Sequence, residues 1–124
     1  VVDFDTFGQL LEMDEEDDHE FSRSIVYNYF EQAEATFTDM NKALAQEDLE
    51  ALSRLGHFLK GSSAALGLQQ VQVTCEKIQH CGNQLDDMGI QEISSAHALD
   101  RLRTLIRLVK EQYTEAEGHL RGFY

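Results

Sequence analysis

The sequence predicts an all-α fold: an antiparallel up-down four-helix bundle with a short additional N-terminal helix. Three observations predict it. The 124 residues contain no proline, the residue least compatible with a helix interior. Apolar residues recur every three or four positions over long stretches, which is the α-helical period. The stretches between periodic segments are short, so consecutive long helices are expected to lie as antiparallel neighbours.

Each element follows from its own pattern. A first, short helix over about 3–12 has Asp3 or Asp5 as a cap and Phe4, Phe7, Leu10 and Leu11 as apolar positions. The acidic stretch 14–20, DEEDDHE, connects it to the next helix and places negative charge at that helix's N-terminus. A second helix over about 20–46 repeats Phe21, Ile25, Tyr29, Ala33, Phe37, Met40 and Leu44. A third over about 48–66 carries Leu52, Leu55, Leu59 and Leu66, starts near Glu47 or Asp48, and stops at Gly67. A fourth over about 69–87 lines up Val71, Cys75, Ile78 and Leu85, with Gly89 as punctuation. A fifth over about 91–117 carries Leu99, Leu102, Ile106, Val109 and Tyr113, and the tail GHLRGFY is expected to fray.

Composition bounds the function. A hydrophobic content of 42% with regular spacing marks a globular chain, and no repeat or linker divides it, so one domain is expected over 1–124. A chain of this size buries roughly two thirds of its unfolded surface and needs neither disulfide nor metal to fold. Twenty-three acidic against ten basic residues give a formal charge of −13. Such a surface repels phosphate backbones and anionic lipid, so no nucleic acid and no membrane partner is expected. No apolar run is long enough to span a membrane. The acidic N-terminus is unlike a signal segment, and a chain starting at Val1 is consistent with trimming or processing. Cys75 and Cys81 lie six apart, which turns them about 120° from each other on a helix. They read as small packing residues of a reducing compartment.

The chemistry concentrates in LGHFLKGSSAALGL, residues 55–68. With Leu52 at zero on a helical wheel, Leu55, Leu59 and Leu66 fall within roughly 60°, while His57 lies at about 140° and Gly61 near 180°. His57 is therefore expected at the surface, with Lys60, Gly61 and Ala64 at i+3, i+4 and i+7. A neutral imidazole, with a reference pKa of about 6.5, is a good nucleophile near pH 7. Glycine one turn away gives steric clearance, and the lysine supplies charge for phosphoryl oxygens. Gly56, at about 40°, lies on the core side and reads as a helix-packing residue. The wheel alone leaves two readings open, a reactive surface histidine and an inert solvated one. Read alone, Ser62 and Ser63 are packing residues and Gln79 is a solvated one.

HFLKGSSAALG (57–67) resembles the H-x-x-K-G-x-x-x-x-x-G signature of histidine-containing phosphotransfer (HPt) domains. The wider stretch LGHFLKGSSAALGLQQVQVTCEKIQHCG, together with FEQAEATFTDM in the second helix, resembles the fungal phosphorelay intermediates of the budding-yeast type. The resemblance implies the four-helix bundle and makes His57 the phosphorylated nucleophile, reacting through Nε2. It implies that Lys60 neutralises the phosphate, that Gly61 keeps the imidazole accessible, and that Gln79 sits beside the histidine and orients it. It further implies a receiver-docking patch, for which Leu10, Met13, Phe21, Ile25, Gly61 and Ala64 are the candidates. The yeast-type pattern has a basic residue four after the glutamine. Asn83 stands there, and Arg54, one turn before His57, is the substitute proposed. The long segment that precedes the last helix in the yeast type is missing from this chain.

The implied function is a histidine phosphotransfer step of a multistep two-component phosphorelay. His57 takes a phosphoryl group from the aspartate of one receiver domain and passes it to that of a downstream response regulator. The partners are receiver domains of a hybrid histidine kinase and of response regulators. The chain needs no cofactor of its own, and Mg²⁺ comes with the receiver. No nucleotide-binding glycine loop or kinase signature is present, so autonomous kinase activity is not expected. A monomer is expected, since the reactive face must stay open, and the resemblance implies cytoplasm and nucleus. The competing class is a non-catalytic helical adaptor binding receiver-like partners through the same patch, against which Lys60 and Gly61 argue. Metal binding through His57, His80, His97 or the cysteines is disfavoured, because there is no i, i+4 histidine pair and no C-x-x-C.

Overall fold

The computed structural model describes residues 2–12 and 20–123. Met13 and residues 14–19 lie outside the described residues, as does the side chain of Phe4. Among the described residues five helices account for the periodic segments: α1 (Phe4–Glu12), α2 (Glu20–Ala45), α3 (Leu49–Ala65), α4 (Gln69–Gly82) and α5 (Ser95–Phe123). α3 packs between α2 and α4, and α5 closes the ring against α4 and α2. The pairings run antiparallel: Tyr29 near the start of α2 meets Ser63 near the end of α3, and Gly82 at the end of α4 meets Leu49 and Ser53 at the start of α3. The core between the four helices is aliphatic and aromatic, with Val26, Met40, Leu52, Leu59, Ile78, Leu102, Leu105 and Val109 fully buried. Its polar content is self-satisfied. The Tyr29 phenol and the Ser63 hydroxyl share a 2.8 Å hydrogen bond, and burial holds the Tyr29 phenol well above the usual tyrosine range.

Helix ends explain where the expected boundaries hold and where they fail. Asp48 caps α3 by accepting from Ala51 N at 3.1 Å. At its other end Gly67 adopts φ +76°, Gly67 N donates to Ala64 O and Leu68 N to Ser63 O, the paired bonds of a Schellman stop. The Gly67 carbonyl then accepts from Asp3 N at 2.6 Å, which ties the start of α1 to the α3–α4 turn. Asp3 also caps α1 through Asp5 N and accepts from Gln69 Nε2, so α1 is laid across that end of the bundle.

Two boundaries correct the sequence reading. α4 ends at Gly82 rather than near 87, because Gln84 takes the left-handed conformation (φ 59°) and closes a Schellman stop with Leu85 N on His80 O. α5 starts at Ser95 rather than 91, where Ser94 Oγ accepts from His97 N at 3.1 Å. The connection between them folds back on itself, pinned by Arg101, whose Nε lies 3.0 and 3.2 Å from the two Asp87 carboxylate oxygens. The tail, expected to fray, is helical as far as Phe123, where α5 ends. Leu120 is buried, and the Phe123 ring meets Phe7 edge-on with centroids 5.6 Å apart.

Candidate functional site

The site is built on the outer face of α3 and on the seam between α3 and α4. His57 stands exposed in the middle of α3, as the wheel predicts, while Leu52 and Leu59 of the same helix are fully buried. Among the described residues no hydrogen bond reaches the imidazole. One turn on, Gly61 is also exposed, and a Cβ built there meets no atom within 4 Å. The surface beside the ring is therefore open on that side. Lys60 is half-buried and reaches towards α4, where its Nζ donates to Gln79 Oε1 at 3.0 Å.

That reach depends on how closely α3 and α4 approach. A Cβ at Gly56 would stand 3.0 Å from Cys75 O and Ile78 Cγ2 and 3.1 Å from Gln79 N. A Cβ at Gly82 would stand 2.6 Å from Ser53 N. Bare backbone on each helix lets the other come in close, and α3 makes its most extensive contact with α4. Gly56 is thus the packing glycine that its core-side position predicts.

The remaining candidates are distributed around this face. Ala64, two turns beyond His57, is half-buried. Arg54 is exposed one turn before it and lines a groove between α3 and the C-terminal part of α2, together with Leu55, Phe58, Lys42 and Ala43. Ile25 is half-buried and lines a second groove on the same seam, opposite Ser62 and Ala65. Phe21 is 47% exposed, so this apolar position of α2 faces outward rather than into the core. Leu10 is a correction: at 9% exposure it belongs to the core, because α1 lays its Phe7–Leu10 face on the bundle end, and it has little area left for a partner. Met13 lies outside the described residues. Asn83 is the exposed C-cap residue of α4.

One surface residue was missed in the sequence. Phe58, next to His57 and 48% exposed, is a large apolar side chain on the reactive face. Its signal was available, since it falls about 120° from Leu52 on the wheel, outside the stripe of Leu52, Leu55, Leu59 and Leu66. Among the described residues no cluster of three or more histidine, cysteine or acidic side chains is arranged to hold a metal ion. Cys75 and Cys81 are buried free thiols.

A family model described as the Hpt domain matches residues 24–113, which includes the whole of α3, α4 and the His57 face. The chain belongs to the Hpt-domain family. This Hpt domain is 49% identical over 125 residues to multistep phosphorelay regulator 1 of Schizosaccharomyces pombe, covering 100% of the chain and 42% of that protein. It is 41% identical over 97 residues to the phosphorelay intermediate protein YPD1 of Candida albicans, covering 77% of the chain and 52% of the relative. The chain therefore spans about half or less of the length of these curated relatives. Among solved structures it superposes with a TM-score of 0.88 and 28% identity on the Saccharomyces cerevisiae histidine phosphotransfer signaling protein Ypd1, in a co-crystal with the receiver domain of its downstream response regulator Ssk1. That match covers 100% of this chain and 94% of the Ypd1 chain.

Proposed function

We propose that this Hpt domain is a phosphohistidine carrier between receiver domains of a multistep phosphorelay. The observation that carries the reading is the exposed His57 imidazole, with open space at Gly61 on one side and the Lys60 ammonium on the other. The lone pair of Nε2 attacks the phosphorus of a receiver's aspartyl phosphate. The P–N bond forms as the acyl P–O bond breaks, and the aspartate leaves as a carboxylate. The reverse step delivers the group to the aspartate of a second receiver. Lys60 stabilises the charge on the equatorial phosphoryl oxygens, and little else is needed, because positioning and charge neutralisation dominate phosphoryl transfer.

The docking surface we assign to the receiver is the α2–α3 side of His57, with Phe21, Ile25, Phe58 and Ala64 as its apolar part and Arg54 as its cation. The Mg²⁺ for the reaction is held by the receiver. No helix among the described residues is long and apolar enough to cross a membrane, and the resemblance to fungal carriers supports a monomer working in cytoplasm and nucleus. Incubation with a radiolabelled phospho-receiver is expected to leave acid-labile, base-stable label on the chain, abolished in His57→Gln. Label of that stability persisting in the variant overturns the assignment.

A further inference from the structure

We propose that Gln79 is a positioning residue for Lys60, seated by the glycine seam between α3 and α4. The inference rests on the phosphotransfer reading above. Its basis is the 3.0 Å bond from Lys60 Nζ to Gln79 Oε1, which joins two different helices, whereas no hydrogen bond from a described residue reaches His57. The resemblance places the glutamine with the histidine; its amide oxygen is occupied by the ammonium, which leaves the amide N–H groups for that contact.

The bond is a consequence of backbone approach. Gly56 lies one turn before Lys60, and its missing side chain leaves room for the Gln79 backbone nitrogen, which a Cβ would meet at 3.1 Å. Gly82 lies three residues after Gln79 and rests on the Ser53 backbone. Both glycine contacts lie on the N-terminal side of Lys60 along α3, and they set the helix separation across which an amide of glutamine length meets a lysine. A lysine without such a partner is a flexible four-carbon stem that must be ordered during the reaction. Held by Gln79, its ammonium is in place beforehand. An ammonium has three donors, and the single acceptor leaves two for phosphoryl oxygens.

The choice of an amide has chemical content. A carboxylate at this position would hold the ammonium at least as firmly, but it would cancel the charge and repel the incoming phosphoryl group. An aliphatic side chain would leave the charge and lose the hold. Gln79 alone gives both.

The experiment separates these cases with two readouts on the whole chain. The first is the slow-exchanging ¹H–¹⁵N signal of the Lys60 ammonium. The second is the rate at which phosphoramidate, a small phosphodonor that needs no docking, labels His57. Gln79→Leu is expected to lose the Lys60 signal and to slow labelling by about fivefold, the loss of one hydrogen bond to a charged group. In a Lys60→Ala background the same change is expected to slow labelling by clearly less than that, because residues acting as a unit are non-additive. Gln79→Glu is expected to keep the signal yet remain slow, which a merely structural role for residue 79 does not produce. Full multiplicativity of Gln79→Leu and Lys60→Ala, or an unchanged Lys60 signal in Gln79→Leu, overturns the proposal while wild-type labelling by a phospho-receiver leaves the phosphotransfer reading standing. A wild-type chain that takes no label from the receiver removes both.

Discussion

Gly82 of α4 lies directly against Ser53 of α3: a Cβ at residue 82 would stand 2.6 Å from the Ser53 backbone nitrogen and 2.8 Å from Leu49 O. The obstructing atoms are backbone, so neither helix can yield without moving as a whole. Gly82→Ala is therefore expected to lower stability by about 2–3 kcal/mol, as overpacking does, despite alanine's better helix propensity. Gly56→Ala meets Ile78 Cγ2 and Cys75 O at 3.0 Å. One of these is a side-chain methyl that can rotate, so a smaller loss of about 1 kcal/mol is expected. Urea unfolding of both variants checks the order, and a Gly56→Ala variant less stable than Gly82→Ala contradicts it.

Gly61 is the opposite case, since nothing lies within 4 Å of a Cβ there. Gly61→Ala is expected to be neutral or to stabilise by up to about 1 kcal/mol through helix propensity. Gly61→Gln is expected to fold as well, yet to accept the phosphoryl group from a phospho-receiver at least about tenfold more slowly, because its side chain occupies the approach to His57. Thermal melts and initial transfer rates, measured on the same samples, test this split. A Gly61→Gln chain that transfers at the wild-type rate removes the clearance role.

What was legible in the sequence divides along physical lines. The aliphatic stripe of α3, the outward His57 and the stop at Gly67 follow from helical geometry and from glycine's tolerance of positive φ. The stop of α4 does not, because Gln84 (φ 59°) holds a left-handed conformation that its residue type does not advertise. The tail was misread because its anchor is tertiary: Phe123 is held by Phe7, more than a hundred residues away. Leu10 was misassigned to a docking patch because amphipathicity marks an apolar face without saying what covers it. The Lys60–Gln79 bond was invisible for a related reason. It depends on the distance between two helices, set by Gly56 and Gly82, and no periodicity within one helix encodes it.

The two thiols give a third prediction. Cys75 and Cys81 are both fully buried. Burial pushes the Cys75 thiol up to about 12, and burial with the nearby Asp87 carboxylate pushes Cys81 up to about 11. The thiolate is the reactive form, so at pH 8 both are expected to resist an aromatic disulfide reagent in the folded chain and to react promptly in denaturant. Their labelling rates in native buffer should rise with added urea in parallel with unfolding. Rapid native labelling of either thiol, with the fold intact by circular dichroism, refutes this.

The Asp87–Arg101 pair supplies a pH dependence with a definite sign. The Arg101 guanidinium holds the Asp87 carboxyl below the usual carboxylate range, its hydrogen bonds outweighing the opposing effect of burial. A carboxyl whose folded pKa is depressed contributes stability that is fully present above its unfolded value of about 3.9 and is lost as pH falls through the folded value. The two side chains are 28% and 37% exposed, so solvent screens the pair and the contribution is modest, about 1 kcal/mol. Asp87→Asn is expected to be less stable than the parent chain by about that much at pH 7, with the difference shrinking as pH falls and the parent carboxyl takes up its proton. Urea unfolding at several pH values in matched low salt measures it, and added salt should shrink the pH 7 difference. A gap between parent and variant that stays constant from neutral to acid pH shows that the pair contributes through packing of the α4–α5 connection, not through its charge.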